Sequence, residues 1–300
     1  MDIKKKVCIM TKKLSIITGA NAGIGKQAAI QLAQAGHAVI IGCRSMERGQ
    51  KALEEIRRLS GSDDVMLLQL DVSLKSSIEA FADKVKAQYS AVDVLIHNAA
   101  VFDIAQKERR LTAEGFETVW MTNHIGPVYL TELLLDLLKQ SDNGRVITIA
   151  SKGLLAMPRL TVDLNDPEFK NRKFNMTKAY YQSKRAQIMF TYDLAEKLRG
   201  SAVTANCIRV PAVQIDLSRH PELSAFTKWI YRQKSKHAIT PQEMAKTYVY
   251  LATSDALKGV SGKYFDEKNQ YVQSNAYTRN RDTIKAVMNL TAQYLRREAR

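Results

Sequence analysis

LSIITGANAGIGKQAAIQLAQAG, residues 14–36, decides the fold. LSIIT (14–18) is a short, apolar, β-branched run and reads as a buried strand. Gly19, Gly23 and Gly25 punctuate the turn after it, with Asn21 and Ile24 between them. KQAAIQLAQAG then carries a helix pattern that closes at Gly36. In a strand–turn–helix unit, glycines let the backbone approach a pyrophosphate. The free N–H groups of the helix N-terminus receive it. A glycine-lined turn without a ligand is the competing reading, and the strand-to-helix context favours the dinucleotide.

The next strand refines the ligand. AVIIG (38–42) runs into Cys43 and Arg44, about 20 residues beyond the glycines, where NAD binders place an acid on the ribose. No Asp or Glu stands there. Arg44 does, followed by Ser45. A guanidinium suits a 2′-phosphate, and the missing carboxylate removes a repulsion. The expected cofactor is therefore NADP(H). The alternative is a solvated surface arginine.

The pattern continues to alternate. VMLLQL (65–70) ends at Asp71-Val72, VLIH (94–97) at Asn98-Ala99-Ala100, RVITIA (145–150) at Ser151, and VTANCIR (203–209) near Pro211. Helical patterns fill 46–60, 74–89, 112–139 and 175–199, and a short strand near 263–266 precedes a C-terminal helix at 280–300. Such alternation predicts an α/β chain: one Rossmann-type, doubly wound parallel sheet of about seven strands, with helices on both faces. One domain is expected over 1–300, with an N-terminal extension at 1–13 and a substrate-covering segment at 212–240. Polar residues gather after the strands, at the carboxyl edge where these sheets bind ligands.

AYYQSK (179–184) places Tyr180 and Lys184 four residues apart, on one face of a helix. A phenol beside an ammonium is expected to ionise more readily and to give a proton to a carbonyl oxygen near neutral pH. Pro127, four residues after Asn123, has no N–H to give back to the Asn123 carbonyl, which leaves that oxygen for a water. A simple helix kink is the equal alternative.

With these pieces in place the chain resembles the short-chain dehydrogenase/reductase family, on its retinol-dehydrogenase and protochlorophyllide-reductase-like branch. TGANAGIGK, CRSMERG, LDVS, HNAA, TNHIG, RVITIAS, AYYQSK and VTANC match in order from about 14 to 210, and TPQEMA and GKYF fit downstream. TNHIG and the long spacer between Ser151 and Tyr180 are the branch-specific signs. The resemblance implies a catalytic set of Asn123, Ser151, Tyr180 and Lys184. In it Tyr180 exchanges the proton, Lys184 holds the nicotinamide ribose, Ser151 binds the substrate oxygen, and Asn123 holds a relay water. It also implies cofactor contacts from Gly19, Asn21, Gly23, Ile24, Gly25, Arg44, Ser45, Asp71, Val72, Asn98, Ala99, Ala100, Tyr180 and Lys184. The chain departs from many relatives after its sixth strand. Val210-Pro211 stands where Pro-Gly is usual, and Ile215 where a Thr meets the carboxamide.

Composition sets the outer bounds. The 300 residues are 45% hydrophobic, enough for one large α/β core without a linker or repeat. Cys8, Cys43 and Cys207 give no metal or disulfide pattern, and the five histidines (His37, His97, His124, His220, His237) show no ligand spacing, so no metal is expected. A reducing cytoplasm fits the cysteines. No targeting segment and no membrane-length apolar run is evident. The net charge of +15 is spread in pairs along the chain, which points to a solvated basic surface and not to nucleic acid.

On the substrate side, Leu154, with Leu155, Met157 and Leu160, and Phe226 and Trp229 could wall an apolar pocket, or else pack a helix pair or subunit contact. The expected reaction is hydride transfer between NADP(H) and a carbonyl/alcohol pair on a lipophilic small molecule. A non-catalytic cofactor-binding regulator and a C=C reductase remain as alternatives, and a homo-oligomer is left open.

Overall fold

A computed structural model describes residues 12–214 and 238–297. Phe226, Trp229, Ile215 and most of the 212–240 segment lie outside the described residues, as does nearly all of the 1–13 extension. Seven strands form one sheet: β1 (Leu14–Thr18), β2 (Ala38–Cys43), β3 (Val65–Gln69), β4 (Val94–His97), β5 (Arg145–Ser151), β6 (Thr204–Val210) and β7 (Lys263–Phe265). Their spatial order is β3-β2-β1-β4-β5-β6-β7, with each neighbouring pair parallel.

The strand sequences explain why both faces are covered. Leu14 and Ile16 of β1 enter one core and Ile17 the other. Ile40 of β2 joins the first, while Val39 and Ile41 join the second. Side chains alternate across a strand, so an uninterrupted apolar run buries on both sides at once. Each fully buried Ile contributes about 1.5–3 kcal/mol. On the first face lie α3 (Lys75–Gln88), α5 (Gly126–Lys139), α6 (Met176–Lys197) and the C-terminal α9 (Arg281–Arg296). On the second lie α1 (Gly23–Gln34), α2 (Met46–Ser60) and α7 (Pro241–Thr253). A four-residue α8 (Ala276–Arg279) leads into α9.

Two local readings change. Helix α1 begins at Gly23, inside the glycine turn, and not at Lys26. The helix expected over 112–139 is shorter and irregular. A single turn, α4 (Thr118–Trp120), passes into a π-helical turn at Met121–Ile125 before α5 begins. Glu117 starts it, accepting from the N–H groups of Val119 (2.9 Å) and Trp120 (2.7 Å). In the π turn the Gly126 N–H reaches the Met121 carbonyl, five residues back. In that frame the N–H that Pro127 lacks is owed to Thr122 and not to Asn123. The period-3.6 pattern could not reveal this, because one extra residue in a turn leaves composition unchanged.

The π turn also sets a close approach. A Cβ on Gly126 would stand 2.0 Å from the Val72 carbonyl oxygen, which is backbone and cannot swing aside. Gly126→Ala is expected to cost about 1–3 kcal/mol, the range for overpacking, read as a lowered Tm in a thermal melt. An unchanged Tm would mean that this contact relaxes freely.

Candidate active site

The chain turns back between β1 and β4, since β2 and β3 lie on one side of β1 and β4–β7 on the other. The carboxyl ends of strands flanking such a switch point leave a crevice. Here Gly19, Asn21, Arg44, Ser45, Asp71, Val72 and Asn98–Val101 line it, together with Arg48 and Thr122. Most of the expected cofactor contacts thus share one crevice, and Gly23, Ile24 and Gly25 form the first turn of α1.

The shape of this crevice suits a dinucleotide. Gly19 has φ +69°, and a Cβ there would lie 2.9 Å from the Ala99 Cα. Gly25 faces the Asn98 amide, which a Cβ would meet at 2.4 Å. Gly23 has φ +58° with open space beside it, so conformation alone selects glycine there. Ala22 caps α1 with no side-chain hydrogen bond, and the first turn carries no acid. Its N–H groups are therefore left for an anion. Asn98 lines the crevice and also braces its turn. Its Nδ2 donates to the carbonyls of Thr18 (3.0 Å) and Gly19 (3.2 Å), which locks the glycine turn to the end of β4.

At the far end of the crevice Arg44 and Arg48 are both exposed, Arg44 just before the N-cap of α2 and Arg48 in its first turn. Ser45 caps α2 by accepting from the Arg48 N–H at 3.3 Å, so its own hydroxyl proton stays available. The Asp71 Oδ1 accepts from the Ser73 N–H (2.9 Å) and hydroxyl (2.6 Å). Sequence reasoning missed Arg48, which lies in the first turn of the helix expected over 46–60.

Helix α6 carries Tyr180 and Lys184 past the end of β5, where Ser151 sits. The Lys184 Nζ donates to the Ile149 carbonyl at 2.8 Å and stands 5.6 Å from the Tyr180 ring centroid. The expected lowering of the phenol by the ammonium is not what this geometry produces. Burial pushes Tyr180 up to about 12, and neighbouring Tyr181 adds to the rise, while a hydrogen bond with Ser151 offsets part of it. Burial pushes Lys184 down to about 8. The i, i+4 spacing brings the pair together, but loss of water dominates both groups.

Asn123 is 1% exposed, and its side chain is committed. Its Oδ1 accepts from the Val101 N–H (2.7 Å), and its Nδ2 donates to the Val101 carbonyl (3.0 Å) and the Ser183 Oγ (3.2 Å). Ser183 in turn donates to the Tyr180 carbonyl at 2.7 Å. Asn123 thereby ties the loop after β4 to the turn of α6 that bears Tyr180. The amide is not bonded to Lys184.

Two further aromatic rings stand close to Tyr180, Tyr181 with its centroid 5.2 Å away and Phe102, the latter without a sequence signal. Phe102 lies in an irregular loop, 42% exposed, with its centroid 4.3 Å from that of Tyr180. Tyr181 turns its hydroxyl toward Gly153, where a Cβ would meet it at 2.1 Å. Leu154 is buried and lines a second cavity with Leu155 and Ser151, as the apolar wall expected from the sequence would. Cys43 and Cys207 are buried free thiols. Among the described residues no group of three or more His, Cys, Asp or Glu could hold a metal ion, and no helix is long and apolar enough to cross a membrane.

Residues 13–161 match the family model described as short chain dehydrogenase. Retinol dehydrogenase 13 of Homo sapiens is 37% identical over 267 residues, covering 86% of this chain and 77% of that protein. Retinol dehydrogenase 12 of Homo sapiens is 36% identical over 284 residues, covering 94% and 86%. Among solved structures, an uncharacterized protein from Mycobacterium Paratuberculosis has a TM-score of 0.71 at 27% identity, covering 97% of this chain and 96% of that one. A short chain dehydrogenase from Escherichia coli CFT073, complexed with NADPH, shares the fold with a TM-score of 0.65 at 22% identity, covering 85% of this chain and 96% of that one.

The buried lysine gives a test of the electrostatics. Native Lys184 releases its proton near pH 8 and an unfolded lysine near 10.5. Between those values the unfolded chain holds the extra proton, so stability rises with pH across that window. Denaturant unfolding of the wild type and of Lys184→Met at pH 7.5 and 9.5 should show a smaller gain for the variant. Equal gains would mean that Lys184 is not desolvated in the native protein.

Proposed function

The chain belongs to the short-chain dehydrogenase family, on the retinol-dehydrogenase-like branch, and from that premise we propose an NADP(H)-dependent oxidoreductase acting on a carbonyl/alcohol pair of an apolar small molecule. The convergence of Ser151, Tyr180 and Lys184 at the end of β5, beside a crevice whose ribose end carries Arg44 and no ribose-reading acid, carries this proposal.

A bound nicotinamide supplies or accepts the hydride. The chain supplies position and proton. Tyr180, a phenol held protonated by burial, donates its proton to the carbonyl oxygen in reduction and takes it back in oxidation. Ser151 hydrogen-bonds the same oxygen and stabilises charge as it develops there. Lys184 holds the nicotinamide ribose, and its buried charge favours the phenolate that remains after donation. Asn123 positions Tyr180 through Ser183. Arg44, Arg48 and the Ser45 hydroxyl meet the 2′-phosphate, and Gly19, Gly23 and Gly25 admit the pyrophosphate to the start of α1. Leu154, Leu155, Ile188 and Tyr264 give the cavity beside Ser151 its apolar walls. The names of the relatives, retinol dehydrogenases, fit an apolar alcohol or aldehyde, as does the Phe102 ring against Tyr180.

NADPH oxidation at 340 nm with a panel of aldehydes and ketones tests the reaction. Tight NADPH binding without turnover on any of them would replace it with a non-catalytic, cofactor-binding protein. Arg44→Ala is expected to remove a charge-assisted contact of about 1.5–3 kcal/mol, weakening NADPH more than tenfold while leaving NADH nearly unchanged. Equal affinities of the wild type for NADH and NADPH would overturn the cofactor assignment.

Tyr180→Phe keeps the ring and deletes the proton. Its kcat should fall by about 10²–10⁴ with NADPH affinity retained, whereas Tyr181→Phe, altered on the Gly153 side, should stay within a few fold. The reverse pattern would move the proton donor one residue along the helix.

A further inference from the structure

Helix α6 places Arg185 directly after Lys184, and Arg185 is only 1% exposed. A guanidinium stays charged at any ordinary pH, so burying it without a counter-charge is costly. Its Nη2 donates to the carbonyls of Met157 (2.6 Å) and Pro158 (3.3 Å). Its Nε is buried with no hydrogen-bond partner, and among the described residues Nη1 makes no bond and no carboxylate pairs with it. The ionisable groups it feels are the Tyr277 and Tyr264 phenols, which are neutral near pH 7. The cationic head is therefore pinned at one nitrogen and incompletely satisfied at the others.

Arg185 lines the same cavity as Ser151. Leu154, Leu155, Pro158, Ile188 and Tyr264 give it an apolar side, and Gln273, Ser274, Asn275 and Thr278 a polar one. The cavity volume is about 180 Å³, enough for a ring or short chain, since a cavity of about 150 Å³ holds benzene. Ser151 and Arg185, a cation without a carboxylate partner among the described residues, thus line one small cavity.

We propose that the substrate is an apolar carbonyl compound, or the matching alcohol, that also bears a carboxylate: the carbonyl lies at Ser151 and the carboxylate pairs with Arg185. This rests on the oxidoreductase function proposed above and narrows its substrate class. A carboxylate supplies the charge that Arg185 lacks and accepts a charge-assisted hydrogen bond from its free Nη1. An ester of the same shape supplies neither. Arg185 becomes the group that selects oxo acids over neutral carbonyls and fixes which end of the molecule points inward.

The experiment compares 4-formylbenzoate with methyl 4-formylbenzoate at saturating NADPH, together with calorimetric binding of unreactive benzoate and benzamide to the protein with NADP⁺. The acid should exceed the ester in kcat/KM by about 10- to 100-fold, the range of one charge-assisted hydrogen bond, and benzoate should outbind benzamide similarly. Arg185→Met should abolish the acid-over-ester ratio, and Arg185→Lys should restore part of it. Equal use of acid and ester by the wild type, with benzoate no better than benzamide, overturns the carboxylate proposal and leaves the oxidoreductase standing. So does an Arg185→Met variant that slows acid and ester alike, because a purely structural arginine behaves that way. Preferred binding of benzoate with no carbonyl reduced supports the Arg185 site and overturns the oxidoreductase. The two wild-type comparisons decide the matter even if Arg185→Met fails to fold.

Discussion

The site depends on one close approach, that of Gly25 to the Asn98 amide. Side-chain Nδ2 of Asn98 bonds the carbonyls of Thr18 and Gly19, and Gly25 leaves room for that amide against α1. The Thr18 Oγ1 completes the joint by accepting from the Ala99 N–H at 2.9 Å. These contacts clamp the carboxyl ends of β1 and β4, the strands between which the chain reverses its direction of winding. The crevice is fixed at that point, and the N-terminus of α1 opens onto it. Without the clamp the glycine turn would be a flexible loop, and ordering it would fall to the ligand.

A second consequence of tight packing is electrostatic. Burial around α6 works against both charged forms that the proposed chemistry uses, with Tyr180 pushed up to about 12 and Lys184 down to about 8. Near neutral pH the shift of Lys184, charged in both folded and unfolded chains, opposes folding, whereas Tyr180 is neutral in both and its shift costs nothing there. The surrounding bonds keep the pair in place. Lys184 is tethered to the Ile149 carbonyl, and the chain from Val101 through Asn123 and Ser183 to the Tyr180 backbone fixes the helix turn.

The distal face of the sheet shows how the C-terminal helix is attached. Lys75 donates to the carbonyls of Tyr294, Leu295 and Arg297, which closes the end of α9. His124, in the π turn, meets the Thr291 hydroxyl at 2.7 Å, and burial lowers its pKa to about 3, so it stays neutral. Arg297 reaches the buried Glu168 at 3.3 Å, and Glu168 accepts from the Glu117 N–H at 2.8 Å. Helix α9 is thus bonded to the same irregular segment that positions Asn123.

The sequence by itself determined the sheet and most of its decoration. Apolar β-branched runs such as LSIIT and RVITIA have no soluble alternative to a doubly covered strand, and glycine at 19, 23 and 25 leaves few turn geometries. The fixed order of the motifs singled out Arg44, which lines the crevice, and Ser151, Tyr180 and Lys184, which lie near the end of β5. Tertiary structure alone decided what those residues experience. Tyr180 and Lys184 look like a mutually activating pair on a helical wheel, yet dehydration, which no local pattern encodes, sets both pKa values. The π turn at Met121–Ile125, the ring of Phe102 on Tyr180 and the unpaired charge of Arg185 were likewise invisible. Each depends on which distant segments close over a residue, and packing between segments far apart in the chain leaves no mark in either segment's own periodicity.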